Sequence, residues 1–200
     1  MKAILKFATM FLVALFTMSA CTAKSSDKLN AQVTPISNPK VLVVYFSWSG
    51  NTKFVGQRIA QMTKADVFEV ERVKPYPSQY EQCVEDAHAE KGKRPAIKGA
   101  VNNLSDYDVV FIGVPVWSGT LPMPMFTFLE QHDFSGKIVI PFCTCYSSEG
   151  SSLDDIIKAT PKSEHREGLC IETQELAGKG LEKDNAQIDK WLKGLGLMKQ

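Results

Sequence analysis

Three short segments carry residues suited to holding an anion beside a flat ring. The first is Ser47-Trp48-Ser49-Gly50-Asn51-Thr52. Its hydroxyls and the Asn51 amide can donate to an oxyanion, and Gly50 permits close backbone approach. The segment runs straight into a helical pattern, whose first N–H groups add fixed positive potential. It lacks both the Lys-Ser/Thr ending of a P-loop and the G-x-G-x-x-G spacing. The chemistry expected is a phosphate cradle; a capped turn of the same composition is the plainer alternative. The second segment is Pro115-Val116-Trp117-Ser118-Gly119-Thr120-Leu121-Pro122. An indole with glycine two residues on can cover one face of a planar ring, and aromatic stacking adds about 0.5–1.5 kcal/mol beyond area burial. A core tryptophan in a Pro-rich turn is the alternative. The third is Cys143-Thr144-Cys145-Tyr146-Ser147-Ser148-Glu149-Gly150, which offers N–H donors and a second aromatic ring.

Cys143 and Cys145 superficially form a redox or metal pair. Positions i and i+2 make a strained disulfide, and no second cysteine pair or paired histidine completes a zinc site. Both are therefore expected as packing or loop residues, and Cys83 and Cys170 as thiols. No metal site follows. His88, His132 and His165 fall in helical or surface segments away from the three loops, so no general base and no catalytic residue is assigned.

These segments need elements to position them. Val41–Phe46, Val109–Val114 and Ile138–Phe142 are apolar runs rich in β-branched residues, as expected of strands buried on both faces. Val67–Val70 is a shorter strand and Leu169–Ile171 a weak fifth. Helical spacing covers Thr52–Met62, Ser78–Glu90, Pro122–Gln131, Ser151–Ala159 and Asn185–Leu195, with Pro122 at a start where proline is tolerated. Lys91–Asn103 reads as an exposed loop. The repeated β-α alternation predicts right-handed crossovers and helices on both faces of a parallel sheet. Ligands of such sheets sit beyond the carboxyl ends of the strands, where the strand order reverses. All three segments follow strands.

The N-terminus carries a different message. Lys2 and Lys6 precede an apolar stretch, Phe7–Met18, followed by Ser19, Ala20 and Cys21. This is the pattern of a secretory signal over residues 1–20, too short for a comfortable spanning helix. Met18-Ser19-Ala20-Cys21 resembles the bacterial lipobox, which implies lipidation at Cys21; ordinary secretion, with cleavage near Ala20 and a free Cys21, is the alternative. Residues 21–39 then read as a flexible tether and residues 40–200 as one folded domain. The expected location is the bacterial periplasm or cell envelope, with membrane contact only through the lipid at Cys21. The formal net charge is +1, and loss of residues 1–20 would remove two lysines and no acid. A near-neutral chain gives no field that recruits nucleic acid.

Taken together, Tyr45-Phe46-Ser47, Ser49-Gly50-Asn51-Thr52, Pro115-Val116-Trp117, Gly119-Thr120-Leu121-Pro122 and Pro141-Phe142-Cys143-Thr144 resemble the flavodoxin family over about Lys40–Leu197. The resemblance implies a flavodoxin-like α/β three-layer sandwich, its five-stranded parallel sheet in the order 2-1-3-4-5. It implies FMN, with the phosphate on Ser47, Trp48, Ser49, Gly50, Asn51 and Thr52. The ring would be flanked by Pro115, Val116, Trp117, Ser118 and Gly119, its edge near Thr144, Cys145, Tyr146, Ser147 and Gly150. The function implied is electron transfer by non-covalent FMN to a redox partner protein or a small-molecule acceptor. An FMN-dependent NAD(P)H:quinone or flavin reductase and a non-redox lipoprotein binding module are the alternatives. Classical flavodoxins are strongly acidic and this chain is not, and related third loops are richer in glycine.

Overall fold

A computed structural model describes residues 38–173 and 184–198. The leader, the tether up to residue 37, Cys21 and the segment 174–183 lie outside the described residues. Strand β1 (Val41–Tyr45) is buried along its whole length and leads into helix α1 (Asn51–Thr63). Strand β2 (Asp66–Glu69) follows. A small antiparallel pair, β3 (Glu71–Arg72) and β4 (Ile97–Lys98), brackets helix α2 (Tyr80–Ala89). Then come β5 (Val109–Pro115), α3 (Met123–Gln131), β6 (Ile138–Cys145) and α4 (Ser152–Ala159). The chain ends in β7 (Glu164–His165), β8 (Leu169–Glu172) and α5 (Asn185–Gly194).

The main sheet is parallel, in the order β2-β1-β5-β6, with β7 and β8 both on the free edge of β6. This is the predicted order 2-1-3-4-5, with the fifth position split in two. Proline 141 explains the split. Residues 137, 139 and 145 offer carbonyls to the edge side, accepting from Glu164, Arg166 and Thr173. Pro141 has the same parity but no N–H to offer there. The edge strand lets go over residues 166–168, and a Cβ at Gly168 would press on the Pro141 carbonyl oxygen at 2.8 Å and its ring at 3.0 Å.

Alternation within fully buried strands makes two apolar faces. Val41, Val43, Tyr45, Phe111, Ile140 and Phe142 face α1 and α5. Leu42, Val44, Val110, Ile112, Val114 and Cys143 face α3 and α4. Arg58 of α1 clamps Asp189 of α5 with two bonds of 3.0 and 2.5 Å. The expected loop Lys91–Asn103 instead contributes β4 and buries Val101.

The expected third loop is also shorter than its sequence suggests, because β6 continues through Cys143, Thr144 and Cys145, all buried. The cysteine expectation is corrected too: Cys143 and Cys170 form a disulfide. They are direct partners across β6 and β8, with Cα atoms 4.6 Å apart, inside the range a disulfide spans.

Gly113 pairs with Tyr45 on one side and Phe142 on the other. A methyl there would run into the Phe142 ring. Gly113→Ala is expected to lower stability by about 1–3 kcal/mol, seen as a lower urea midpoint with unchanged m-value. An unshifted midpoint would contradict this packing.

Candidate functional site

The carboxyl ends of β1, β5 and β6 stand side by side, so the three predicted segments emerge at one edge of the sheet. Ser47, Trp48, Ser49 and Gly50 form the β1–α1 loop, partly exposed. Gly50 is the N-cap of α1 at φ 95°, with no side-chain capping bond and no acidic residue in the first helical turn. That left-handed backbone is one that glycine adopts without strain. It leaves the positive end of α1 facing the crevice.

Asn51 and Thr52 are buried rather than open. The Asn51 amide donates to Thr173 Oγ1 at 3.2 Å. The Thr52 and Thr144 hydroxyls share a 2.8 Å hydrogen bond that ties the first loop to β6. Two hydroxyls in one bond place a single proton between them, and the second proton is left for another acceptor. Ser47 Oγ accepts from the Lys53 N–H at 3.2 Å. Ser49 is thus the hydroxyl of this loop that no internal bond engages among those described.

The second segment is a tight hairpin. Trp117 and Thr120 exchange backbone bonds of 2.9 and 3.1 Å. Ser118 and Gly119 form its tip at φ 49° and φ 80°. Two consecutive positive φ values are the signature of a type I′ turn. For Ser118 they are strained, a condition found where surrounding structure enforces it. Trp117 is held edge-on by Phe46 and Tyr76, with ring centroids 5.5 and 5.0 Å away.

The hairpin is stitched to the third segment. Gly119 O accepts from the Ser151 N–H at 2.7 Å, and Ser151 Oγ lies 3.1 Å from it. Asp155 accepts from Thr120 Oγ1 at 2.6 Å and from Ser151 Oγ at 2.5 Å. Burial pushes the Asp155 carboxyl up, but the Ser151 and Thr120 bonds, with Lys158, outweigh it and hold the group below its usual value. Gly150 sits against the Gly119 carbonyl so closely that a Cβ would collide with it. Tyr146 and Ser147 are exposed, Tyr146 at 77%. Cys145 lies apart from the crevice opening, packed against Cys170.

Between the first loop and the hairpin opens a cavity of about 250 Å³, walled by Trp48, Val116, Trp117 and Ser118. Its far wall is α2, through Tyr80, Cys83, Val84, Ala87 and His88. Trp48 is fixed by its indole N–H, which donates to Pro77 O at 2.9 Å. Burial raises the Cys83 thiol to about 11, which keeps it a neutral wall group. A second cavity of about 130 Å³ shares Ala87, His88, Trp117 and Ser118 with the first. His88 Nε2 lies 3.4 Å from Ser118 Oγ. His88 is therefore a crevice residue, against the expectation that it stands apart. His132 fits the structural expectation: Nε2 accepts from the Val101 N–H at 3.1 Å, so Nδ1–H donates to Phe128 O at 2.7 Å.

Helix α2 is anchored by an ionic cluster that sequence patterning does not show. Arg72 pairs with Asp86 at 3.1 Å and with buried Glu90 at 2.8 Å, and Tyr76 donates to Glu90. Burial, then the Glu90 bond, raises the Tyr76 hydroxyl well above its ordinary value.

Comparison with known proteins bears on the family and the fold. A sequence profile described as flavodoxin matches residues 40–192. A candidate flavoprotein from Bacteroides eggerthii is 29% identical, with a TM-score of 0.65, covering 78% of this chain and 98% of that one. A flavoprotein crystallised with FMN from Lactobacillus acidophilus shares the fold at 22% identity and a TM-score of 0.61, covering 76% and 98%. An NAD(P)H dehydrogenase (quinone) from Rhizobium johnstonii is 30% identical over 115 residues, 56% of this chain and 58% of that protein. One of the same name from Cupriavidus metallidurans is 30% identical over 92 residues, 46% of each. The chain thus spans about half the length of these curated relatives.

Asp155→Ala strands the Thr120 hydroxyl donor, takes the short bond from Ser151 and unties the hairpin from α4. It is expected to cost about 1.5–3 kcal/mol, measured by denaturant unfolding at neutral pH. A depressed native pKa contributes stability above the unfolded carboxylate range and loses it as pH falls through the native value. The gap between parent and variant should therefore shrink in acid; a gap that is constant with pH would contradict the assignment.

Proposed function

The chain belongs to the flavodoxin family, and on that premise we propose that the crevice holds FMN non-covalently and that the protein transfers electrons through it. The observation that carries this reading is the meeting of an uncapped, acid-free helix start with a tryptophan-walled cavity at one sheet edge. The residues fit the group. The Gly50 turn, Ser49 and the spare proton of the Thr52–Thr144 pair are donors suited to a phosphate. Trp48 and Trp117 stand where a flat ring would be covered. Ser47, Asn51 and Thr144 hold this donor set in place through bonds to Lys53, Thr173 and Thr52. Bound FMN supplies one- and two-electron redox chemistry; the protein supplies binding, orientation and electrostatics. Pro115, Val116, Ser118 and Gly119 shape the ring's wall, and Tyr146, Ser147 and Gly150 border its outer edge.

A second reading, reduction of a quinone or free flavin by NAD(P)H, is favoured by one observation. Beside the cavity lies a second space that shares the walls Ala87, His88, Trp117 and Ser118 with it, where a flat substrate could lie. The names of the two dehydrogenase relatives point the same way. Steady-state oxidation of NAD(P)H with a quinone separates the two readings. A binding module without flavin chemistry would stay colourless after incubation with FMN.

Export and lipid anchoring at Cys21 belong to the same proposal, as does a redox partner protein or small acceptor at the cell envelope. The support is the Lys2–Cys21 pattern. Expressed in a bacterium, the parent should partition with membranes and Cys21→Ser should not; equal partitioning would contradict anchoring.

The combined substitution Ser49→Ala, Thr52→Ala removes two phosphate donors. A charge-assisted hydrogen bond is worth about 1.5–3 kcal/mol, so FMN affinity should fall at least tenfold by flavin fluorescence quenching. Riboflavin, which lacks the phosphate, should bind parent and variant alike. An FMN affinity unchanged by the substitutions would refute the phosphate assignment.

A further inference from the structure

Four cysteines stand among the described residues, and three of them meet at one point. Cys143 and Cys145 sit two residues apart on β6, so both project to the same face of the sheet. Cys170 lies opposite Cys143 on β8 and is bonded to it. Cys145 remains a free thiol, and its Sγ lies 3.1 Å from Cys170 Sγ. Reacting atoms held about 3–3.5 Å apart are in near-attack range, and disulfides exchange by thiolate attack on one of their sulfurs.

We propose that Cys143, Cys145 and Cys170 form a thiol–disulfide exchange site in which Cys170 is shared by two alternative disulfides and Cys145 is the attacking group. The proposal rests on the β6–β8 register and the sulfur positions, and is independent of what the crevice binds. In the step, deprotonated Cys145 attacks Cys170 Sγ. The Cys145–Cys170 bond forms as the Cys143–Cys170 bond breaks. Cys143 leaves as a thiolate and takes up the proton that Cys145 released. No electrons are gained or lost, and the reverse step uses Cys143 as the attacker.

The surroundings suit an internal exchange. Cys143 and Cys145 are buried, while Cys170 is partly exposed. The two competing thiols are thus screened from outside reagents and see the same partner. Burial, then the carboxylates of Glu172 on β8 and Glu149 in the following loop, raises the Cys145 thiol above its usual value, against a backbone bond at Ser148 that lowers it. The resting form is therefore the thiol, and the pairing changes on the slow scale of uncatalysed disulfide rearrangement. The two pairings differ in where they grip β6. Cys145 is the last residue of the strand, and its carbonyl accepts from the Thr173 N–H at 2.7 Å.

The test uses the oxidised, folded protein with its native cysteines. Samples are incubated at neutral pH, quenched in acid, unfolded and alkylated with a maleimide at low pH. Fragment-ion mass spectrometry then locates the label between Cys143 and Cys145. The proposal predicts label on both residues, the Cys143 share rising from background to a plateau while Cys170 stays bonded. Label confined to Cys145 at every time would overturn it. In a glutathione redox buffer, folded Cys143→Ala should form a Cys145–Cys170 disulfide; two free thiols in that variant would also overturn it. Should Cys143→Ala not fold, the labelling of the native protein decides alone.

Discussion

The crevice depends on the parallel register of β1, β5 and β6. Tyr45, Gly113 and Phe142 lie level across the three strands, so the chain leaves the sheet at the same edge three times. From β1 the next strand lies to one side, at β2; from β5 the next lies to the other, at β6. Connections that part in opposite directions leave a gap above the sheet at β1 and β5. Specific packing enforces the register: Gly113 gives its space to the Phe142 ring beside it, and a slip of one residue would exchange the side chains packed in the two apolar layers.

Several polar contacts convert that gap into a shaped site. The Thr52–Thr144 hydroxyl pair joins the first loop to β6, and Asp155 with Ser151 joins the hairpin to α4. The Arg72–Glu90–Tyr76 cluster sets α2 as the far wall. Such buried charge and hydroxyl networks need every partner in place to be favourable. Here they fix loops that have little apolar surface of their own. The strained turn at Ser118-Gly119 is the visible cost of presenting the hairpin tip to the crevice.

Much of this architecture is legible in the chain. Val41–Phe46, Val109–Val114 and Ile138–Phe142 reveal themselves because strands buried on both faces must be continuously apolar. The helix after Gly50 is legible from its spacing. Thr144 hides the last residues of β6, because a hydroxyl between two cysteines reads as loop until its partner Thr52 is known. The split fifth strand follows from Pro141, whose effect falls on a strand more than twenty residues away. The place of His88 in the crevice and the Cys143–Cys170 disulfide depend on tertiary register, which local patterning does not encode. The flavoprotein structures share the fold that these elements build.

The central claim is that this edge of the sheet holds a flavin by its phosphate and its ring together. Its most direct test is the visible absorption spectrum of the purified protein after incubation with FMN and removal of unbound flavin by gel filtration. Flavin retained in near-equimolar amount, with its long-wavelength band resolved into shoulders by an apolar, rigid site, is the predicted result. A colourless protein, well folded by circular dichroism yet retaining no flavin, would contradict it.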